Sequence, residues 1–154
     1  MNLLGNLLRL ILLFSICLFT STATRAAEKA PQVVELRIGT ILASNGSDDF
    51  DPQLAKMKNQ LEVIKFRSYR LIKQESKKVP WQTNAVFEIP GGHSLVVMPQ
   101  EYRNKRLFVK VRLLVGETPL LDTTVSLRNR GNFLLGGPAY EGGVLILSIS
   151  AMTP

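Results

Sequence analysis

His93 is the only histidine in the chain, and it lies in the segment Gly91-Gly92-His93-Ser94. The neighbouring serine suggests a nucleophile–base pair, but the chain has neither the Gly-x-Ser-x-Gly elbow nor the Ser-x-x-Lys dyad of serine hydrolases. A lone histidine without a His-Glu-x-x-His motif also cannot build a histidine-rich metal site. The pattern favours an exposed turn histidine, so a hydrolase is the least favoured class of function.

Two other segments offer ligand-binding chemistry. Asp48, Asp49 and Asp51 crowd one loop, but their spacing departs from a calcium loop and no glutamate stands at its twelfth position. A helix start at Asp51 explains these acids as well, because a helix N-terminus favours negative charge. The glycines of residues 137–142 have P-loop spacing, yet the following Lys-Ser/Thr pair is missing and a strand follows. We therefore expect no cofactor and no metal, and a protein that is not an enzyme.

Residues 1–26 are typical of a cleavable signal peptide. Arg9 precedes an apolar run over 10–19, which is shorter than the ~20 residues that cross a bilayer, and Ala23 or Ala26 suits the cleavage site. The alternative is an uncleaved N-terminal membrane anchor, which would place Arg9 inside the span at a cost of about 2.5–3.5 kcal/mol. We expect an exported protein, periplasmic or extracellular, with a tether over 27–32 and a single β-rich domain over 33–151.

Removing the signal peptide changes the composition of the chain. Arg9, Arg25 and the only cysteine, Cys17, leave with it, so 17 basic and 12 acidic residues remain, a net charge of +5. A mature domain without cysteine has no thiolate catalysis, no zinc–thiolate site and no iron–sulfur cluster. Its stability must come from packing rather than from disulfides.

Basic residues concentrate in the middle of the chain, where residues 56–112 hold 13 cations and four acids. This asymmetry favours anionic partners, such as phospholipid head groups or acidic polysaccharide, although solvation of outward strand faces explains it as well. Because the chain is predicted to be exported, we expect no nucleic-acid partner and at most peripheral membrane contact. The predicted binding surface consists of Lys65, Arg67, Lys73, Lys110 and Arg112.

Apolar residues alternate along most of the chain, which predicts a mainly β domain. We expect strands over 34–42, 65–73, 83–89, 94–98, 107–115, 121–127, 132–135 and 144–151. Asp51 and Pro52 begin a short amphipathic helix over 52–62. The fold predicted is a compact β-sandwich or partly open barrel of seven or eight short strands with one short helix, and α+β is the alternative.

Three details of this prediction are specific. The alternation over 65–73 is imperfect, and a β-bulge near Ser68 or a strand buried on both faces would reconcile it. Residues 136–143 are predicted to form a glycine-rich connection between strands. The last strand, over 144–151, is strongly apolar and is predicted to be central.

Two parts of the sequence resemble known groups of proteins. Residues 54–72, with the core Lys-Phe-Arg-Ser-Tyr-Arg-Leu, and the tail Gly-Gly-Pro…Tyr-Glu-Gly-Gly-Val-Leu-Ile-Leu resemble small exported bacterial proteins of unassigned function. Residues 124–137 are similar to a strand–turn–strand pattern of outer-membrane secretins, although the chain lacks room for a secretin's channel domain. The second resemblance implies an accessory role near a secretion or surface assembly.

These observations lead to a ranked set of functions. We expect a non-catalytic exported domain that binds another envelope component, by strand addition at an exposed sheet edge. The alternative is a module that binds an anionic ligand or membrane surface through the five predicted cations.

Overall fold

The computed structural model describes residues 33–154, which form eight strands in two antiparallel sheets with one short α-helix. The strands are β1 Val33–Ser44, β2 Ser68–Pro80, β3 Ala85–Ile89, β4 His93–Arg103, β5 Arg106–Val115, β6 Thr118–Arg128, β7 Asn132–Tyr140 and β8 Gly143–Met152. The predicted mainly β class and the sandwich are confirmed, and the sheets of this region do not close into a barrel. The signal peptide over 1–26 and the tether over 27–32 lie outside the described residues.

The first sheet has the strand order β2-β1-β8-β7. Its strand β8 is a nearly unbroken apolar run, because it is buried on both faces. Leu145, Leu147 and Ile149 face the second sheet, whereas Ile146 packs on the opposite side. The prediction that the last strand is central is confirmed, since β8 pairs with β1 on one side and β7 on the other.

The second sheet has the order β3-β4-β5-β6 and consists of consecutive hairpins. Its inward row on β5 is Leu107, Val109, Val111 and Leu113, all buried as their alternation predicts. Val115, the last residue of the same parity, is 41% exposed because β5 ends there and leaves it beyond the edge of the core. Thr83, the first residue of the predicted strand over 83–89, is exposed because β3 begins two residues later, at Ala85.

A second, smaller core lies on the outer face of the first sheet. The predicted helix over 52–62 is a 3-10 helix at Pro52–Met57 followed by helix α1 at Lys58–Glu62. Asp51 caps its start, as predicted, by accepting a hydrogen bond from the Gln53 amide at 2.9 Å. Leu54 and Leu61 are fully buried against the sheet. The first sheet is therefore covered on both faces over part of its length.

Strand β2 is longer than predicted and its irregularity lies elsewhere. Thr40 on β1 pairs with Lys73, and the next residue, Ile41, pairs with Leu71, so the bulged residue is Ile72 and not Ser68. The bulge reverses the alternation, so that Leu71 packs in the smaller core whereas odd-numbered residues beyond Ile72 face the second sheet. Beyond it, Glu75 and Val79 point toward the second sheet, where Val79 is buried.

The glycine-rich segment over 136–143 is a strand for most of its length, so its assignment as a connection is wrong. β7 continues to Tyr140, and only residues 141 and 142 turn the chain into β8. Gly137 permits this because a Cβ there would lie 2.9 Å from the carbonyl oxygen of Leu145 on β8. Gly137 and Gly143 allow two backbones to approach closely, a role that residue propensities alone do not distinguish from a loop.

Residues 33–154 contain no helix that is both long and apolar enough to cross a membrane.

Candidate functional site

His93 begins β4 and faces the space between the sheets, on the same side of the strand as buried Leu95. Its Nδ1 atom is buried and has no hydrogen-bond partner among residues 33–154. Ser94 points to the opposite face, because successive side chains of a strand alternate. The two side chains therefore do not form the serine–histidine pair that their sequence neighbourhood suggests.

The acidic loop is held by hydrogen bonds rather than arranged as a cation cage. The guanidinium of Arg67 contacts both carboxylate oxygens of Asp48, at 2.7 and 2.5 Å. These hydrogen bonds lower the pKa of Asp48 below its ordinary value. Asp51 accepts from the amides of Gln53 and Leu71, and so ties the helix start to β2. Within residues 33–154, no group of three acidic, histidine or cysteine side chains is placed to hold a metal ion.

The five predicted cations lie in three separate places. Lys65 and Arg67 belong to the loop between α1 and β2, at one end of the sandwich. Lys73 lies on β2, in the first sheet.

Lys110 and Arg112 share the outer face of β5, in the second sheet, where Asp122 of β6 lies 3.7 and 3.2 Å from their nitrogens. The structure brings these two together but does not assemble the five into one surface.

Lys73 has a structural contact that the sequence did not predict. β3 is an edge strand, and the carbonyl oxygen of its Glu88 accepts a hydrogen bond from Lys73 Nζ at 2.8 Å. Lys77 Nζ, also from β2, donates to the carbonyl of Val86 and lies 4.7 Å from the centre of the Phe87 ring. Two lysines of one sheet therefore cover the open carbonyls of the other sheet's edge.

Glu75 holds these two lysines in place from between them on β2. Its carboxylate oxygens lie 3.5 Å from Lys73 Nζ and 3.2 Å from Lys77 Nζ. The hydrogen bond from Lys77 lowers the pKa of Glu75, and the charges of both lysines add to that effect. We call Lys73, Glu75, Lys77 and the β3 carbonyls they cover the sealed edge.

The β2–β3 connection extends this cover onto β4. The amide of Gln82 donates to the carbonyl of Pro99 at 2.8 Å, and its side chain donates to the carbonyl of Gln100. The side of the sandwich formed by β2 and β3 is therefore covered along most of its length.

The opposite side of the same sheet is different. Residues 121–128 of β6 pair with β5 in unbroken register, and β6 has no strand on its other side. Arg106 covers the carbonyl of Ser126 at 2.8 Å, and the carbonyl of Arg128 accepts from the Gly131 amide at 2.7 Å. Between Leu121 and Val125, the part of the chain described here supplies no hydrogen bond beyond the β5 ladder. We call residues 121–125 the open edge.

Side chains at the open edge are also incompletely covered. On the inward face, Leu121 and Thr123 are half-buried, whereas Val125 and Leu127 further along the strand are buried. Leu120, at a bulge beside the edge, is 55% exposed. The open edge therefore combines unpaired backbone groups with apolar surface that a further strand would cover.

A cluster of cations that the sequence prediction missed lies where the β4–β5 hairpin meets the end of β6. It consists of Arg103, Lys105, Arg106, Arg128 and Arg130, and we call it the basic end. The signal that could have found it is the two-residue turn Asn104-Lys105 between two strongly alternating strands, which places the flanking arginines opposite each other.

Comparison of the chain with known protein families, with characterised proteins and with solved structures gives no significant match. The resemblances to small exported bacterial proteins and to a secretin strand–turn–strand pattern therefore stay predictions.

Proposed function

We propose that this protein is an exported, non-catalytic domain that binds another envelope protein, which adds an extended segment to the open edge of β6. The observation that carries the proposal is the difference between the two sides of the second sheet. β3 has its carbonyls covered by Lys73 and Lys77, whereas residues 121–125 of β6 have no hydrogen bond beyond the β5 ladder in the described part of the chain. Unpaired strand edges are templates for another chain, and proteins cover those they do not use.

The chemistry of the open edge specifies the partner segment. In an antiparallel pair, alternate residues point their N–H and C=O groups away from the neighbouring strand, so an added strand gains main-chain hydrogen bonds along β6. Its inward side chains would cover half-buried Leu121 and Thr123, which favours apolar residues at alternate positions. Its outward side chains would lie beside Asp122, an exposed carboxylate.

We propose a non-catalytic protein because its reactive side chains either face away from each other or hold the fold together. His93 faces the space between the sheets and Ser94 faces away from it. Asp48 and Asp51 hold the loop and the helix start. Export, to the periplasm or beyond, and an accessory role in a secretion or surface assembly rest on the signal-peptide pattern of residues 1–26 and the secretin resemblance.

The test is a pair of lysine substitutions on adjacent residues of the open edge. Thr123→Lys places a cation on the inward face, as Lys73 and Lys77 do at the sealed edge, and blocks an added strand. Thr124→Lys adds the same charge to the outward face and is the matched control. The tagged proteins are isolated from the envelope of the native host, and co-isolated proteins are identified and quantified.

We expect one protein to be recovered with the natural chain and with Thr124→Lys, and to be lost with Thr123→Lys. Equal recovery with both lysine variants would contradict strand addition at β6. Circular dichroism melting of each variant establishes that the domain is folded, so loss of binding is not loss of structure.

A further inference from the structure

The basic end gathers its charge through strand register. Arg103 of β4 pairs with Arg106 of β5, and Arg106 pairs in turn with Arg128 of β6. Three arginines thus lie in a row across three neighbouring strands. Like charges directly opposite each other destabilise a sheet, so this register costs stability unless the charges meet an anion.

Two further cations occupy backbone conformations that disfavour them. Lys105 has φ 61° in the turn between β4 and β5, and Arg130 has φ 64° in the connection between β6 and β7. Glycine or asparagine is the usual residue at such positions, since a Cβ is strained there. The two turns therefore add two cations to the end of the sandwich that carries the row of arginines.

The charge of the basic end is largely unneutralised. Arg103 pairs with Glu101 at 3.4 Å and stacks on the Phe108 ring at 5.1 Å. Arg106 donates to the hydroxyl and carbonyl of Ser126. Lys105, Arg128 and Arg130 are exposed and have no acidic partner among residues 33–154.

One observation favours a membrane surface over a soluble anion. Tyr102, at the same end of β4 as Arg103, is 49% exposed, and an exposed amphipathic ring at the end of the sandwich that carries the cations suits the head-group region of a bilayer.

We propose that the basic end docks peripherally on a bilayer that contains anionic phospholipid. Lys105, Arg128 and Arg130 contact phosphate groups, and Tyr102 lies at the level of the head groups. The strands then point away from the bilayer, which leaves the open edge of β6 accessible. This inference does not depend on strand addition, because it uses other residues and another class of partner.

The test compares two lysines that share a conformation but lie at opposite ends of the sandwich. Lys105→Gly removes a cation at φ 61°, and Lys65→Gly removes one at φ 65° in the loop before β2. Glycine relieves strain at both positions, so neither variant is expected to lose its fold. The proteins are purified from the native host, and their sedimentation with phosphatidylcholine vesicles is measured with and without phosphatidylglycerol.

We expect the natural chain to favour the anionic vesicles, and this preference to weaken as salt rises. Lys105→Gly should weaken binding to them about fivefold, and Lys105→Gly combined with Arg130→Gly by about the square of that factor. Lys65→Gly, alone or with Lys56→Gln, should change binding little. Equal losses at the two ends, no preference for anionic vesicles, or binding to soluble polyphosphate without binding to vesicles would each overturn the proposal.

Discussion

The two long sides of this sandwich differ in whether the backbone of the edge strand is covered by hydrogen bonds. On the β2–β3 side, Lys73 and Lys77 reach across from one sheet and bind the carbonyls of the other. On the β6–β7 side, residues 121–125 have no hydrogen bond beyond their own ladder within the described chain. Edge protection in this protein is therefore local, since the same sheet has one covered edge and one uncovered edge.

The physical means of protection is the inward-pointing lysine. Lys73 and Lys77 lie on the face of β2 that looks toward the second sheet, and each side chain is 40% exposed. Their methylene stems cover apolar surface while the ammonium groups stay partly hydrated. An incoming strand would have to displace those charges, so the lysines make pairing at β3 unfavourable.

The largest expected effect is a difference in stability loss when an apolar side chain is truncated on one side of the sandwich or on the other. Phe87 on β3 is 1% exposed, and Leu121 on β6 is half-buried. Phe87→Ala should lower the free energy of unfolding by about 3–5 kcal/mol, whereas Leu121→Ala should lower it by about 1–2 kcal/mol because less surface is lost from the core. Urea unfolding followed by circular dichroism measures both, and equal losses would contradict the contrast.

Removing one lysine of the sealed edge should have a smaller effect. Lys77→Met keeps an apolar stem but removes the ammonium group. The hydrogen bond to the Val86 carbonyl and the cation–π contact with the Phe87 ring are therefore lost. We expect a loss of about 1 kcal/mol in the free energy of unfolding, because solvent screens the partly exposed ammonium group and so reduces what the hydrogen bond contributes. We also expect concentration-dependent self-association through the uncovered β3 edge, measurable by sedimentation velocity.

Lys78→Met is the matched control for that experiment, because Lys78 is exposed and lies on the other face of β2. If both variants remained monomeric at every concentration, the lysines would not be protecting the edge.

The smallest expected effect is the pH dependence of stability that comes from Glu75 at the sealed edge. The pKa of Glu75 is lowered in the folded protein, chiefly by the hydrogen bond from Lys77. The ionised Glu75 carboxylate therefore stabilises the fold fully at pH values above the pKa of this side chain in the unfolded chain. That stabilisation is lost as the pH falls through the lower pKa of Glu75 in the folded protein.

Glu75→Gln should reduce stability slightly at neutral pH, and the difference from the natural chain should vanish in acid. Melting temperatures of the two proteins across that acid range measure the effect. A constant difference at all pH values would contradict the ion-pair account.

Much of the fold could be predicted from alternation, because each strand with one buried face repeats every second residue. The inward row of β5 followed from this pattern, and the central position of β8 followed from its nearly unbroken apolar run. The bulge at Ile72 did not, since its position depends on which residue of β1 lies opposite. The glycine-rich end of β7 was misread as a loop, because Gly137 is there to let the backbone of β7 approach β8 closely.

The candidate site was less predictable, because an edge is a property of strand order. β6 and β7 are consecutive in the chain but belong to different sheets, and hairpin signals do not reveal that separation. Lys73 was predicted to belong to an anion-binding surface, but its contact with the β3 backbone could not be predicted, because it depends on how the two sheets stack. The basic end was missed because its arginines meet across strands rather than along the sequence.

Site-specific photocrosslinking at the two edges of the second sheet distinguishes binding at the open edge from binding at the sealed edge. Thr124 on β6 and Val86 on β3 both occupy outward positions in edge strands, so a benzophenone side chain is introduced at each in the native host. We expect a discrete crosslink to one envelope protein from Thr124 and none from Val86, with the crosslink abolished by Thr123→Lys. A crosslink from Val86 to the same protein, or none from Thr124, would contradict strand addition at the open edge.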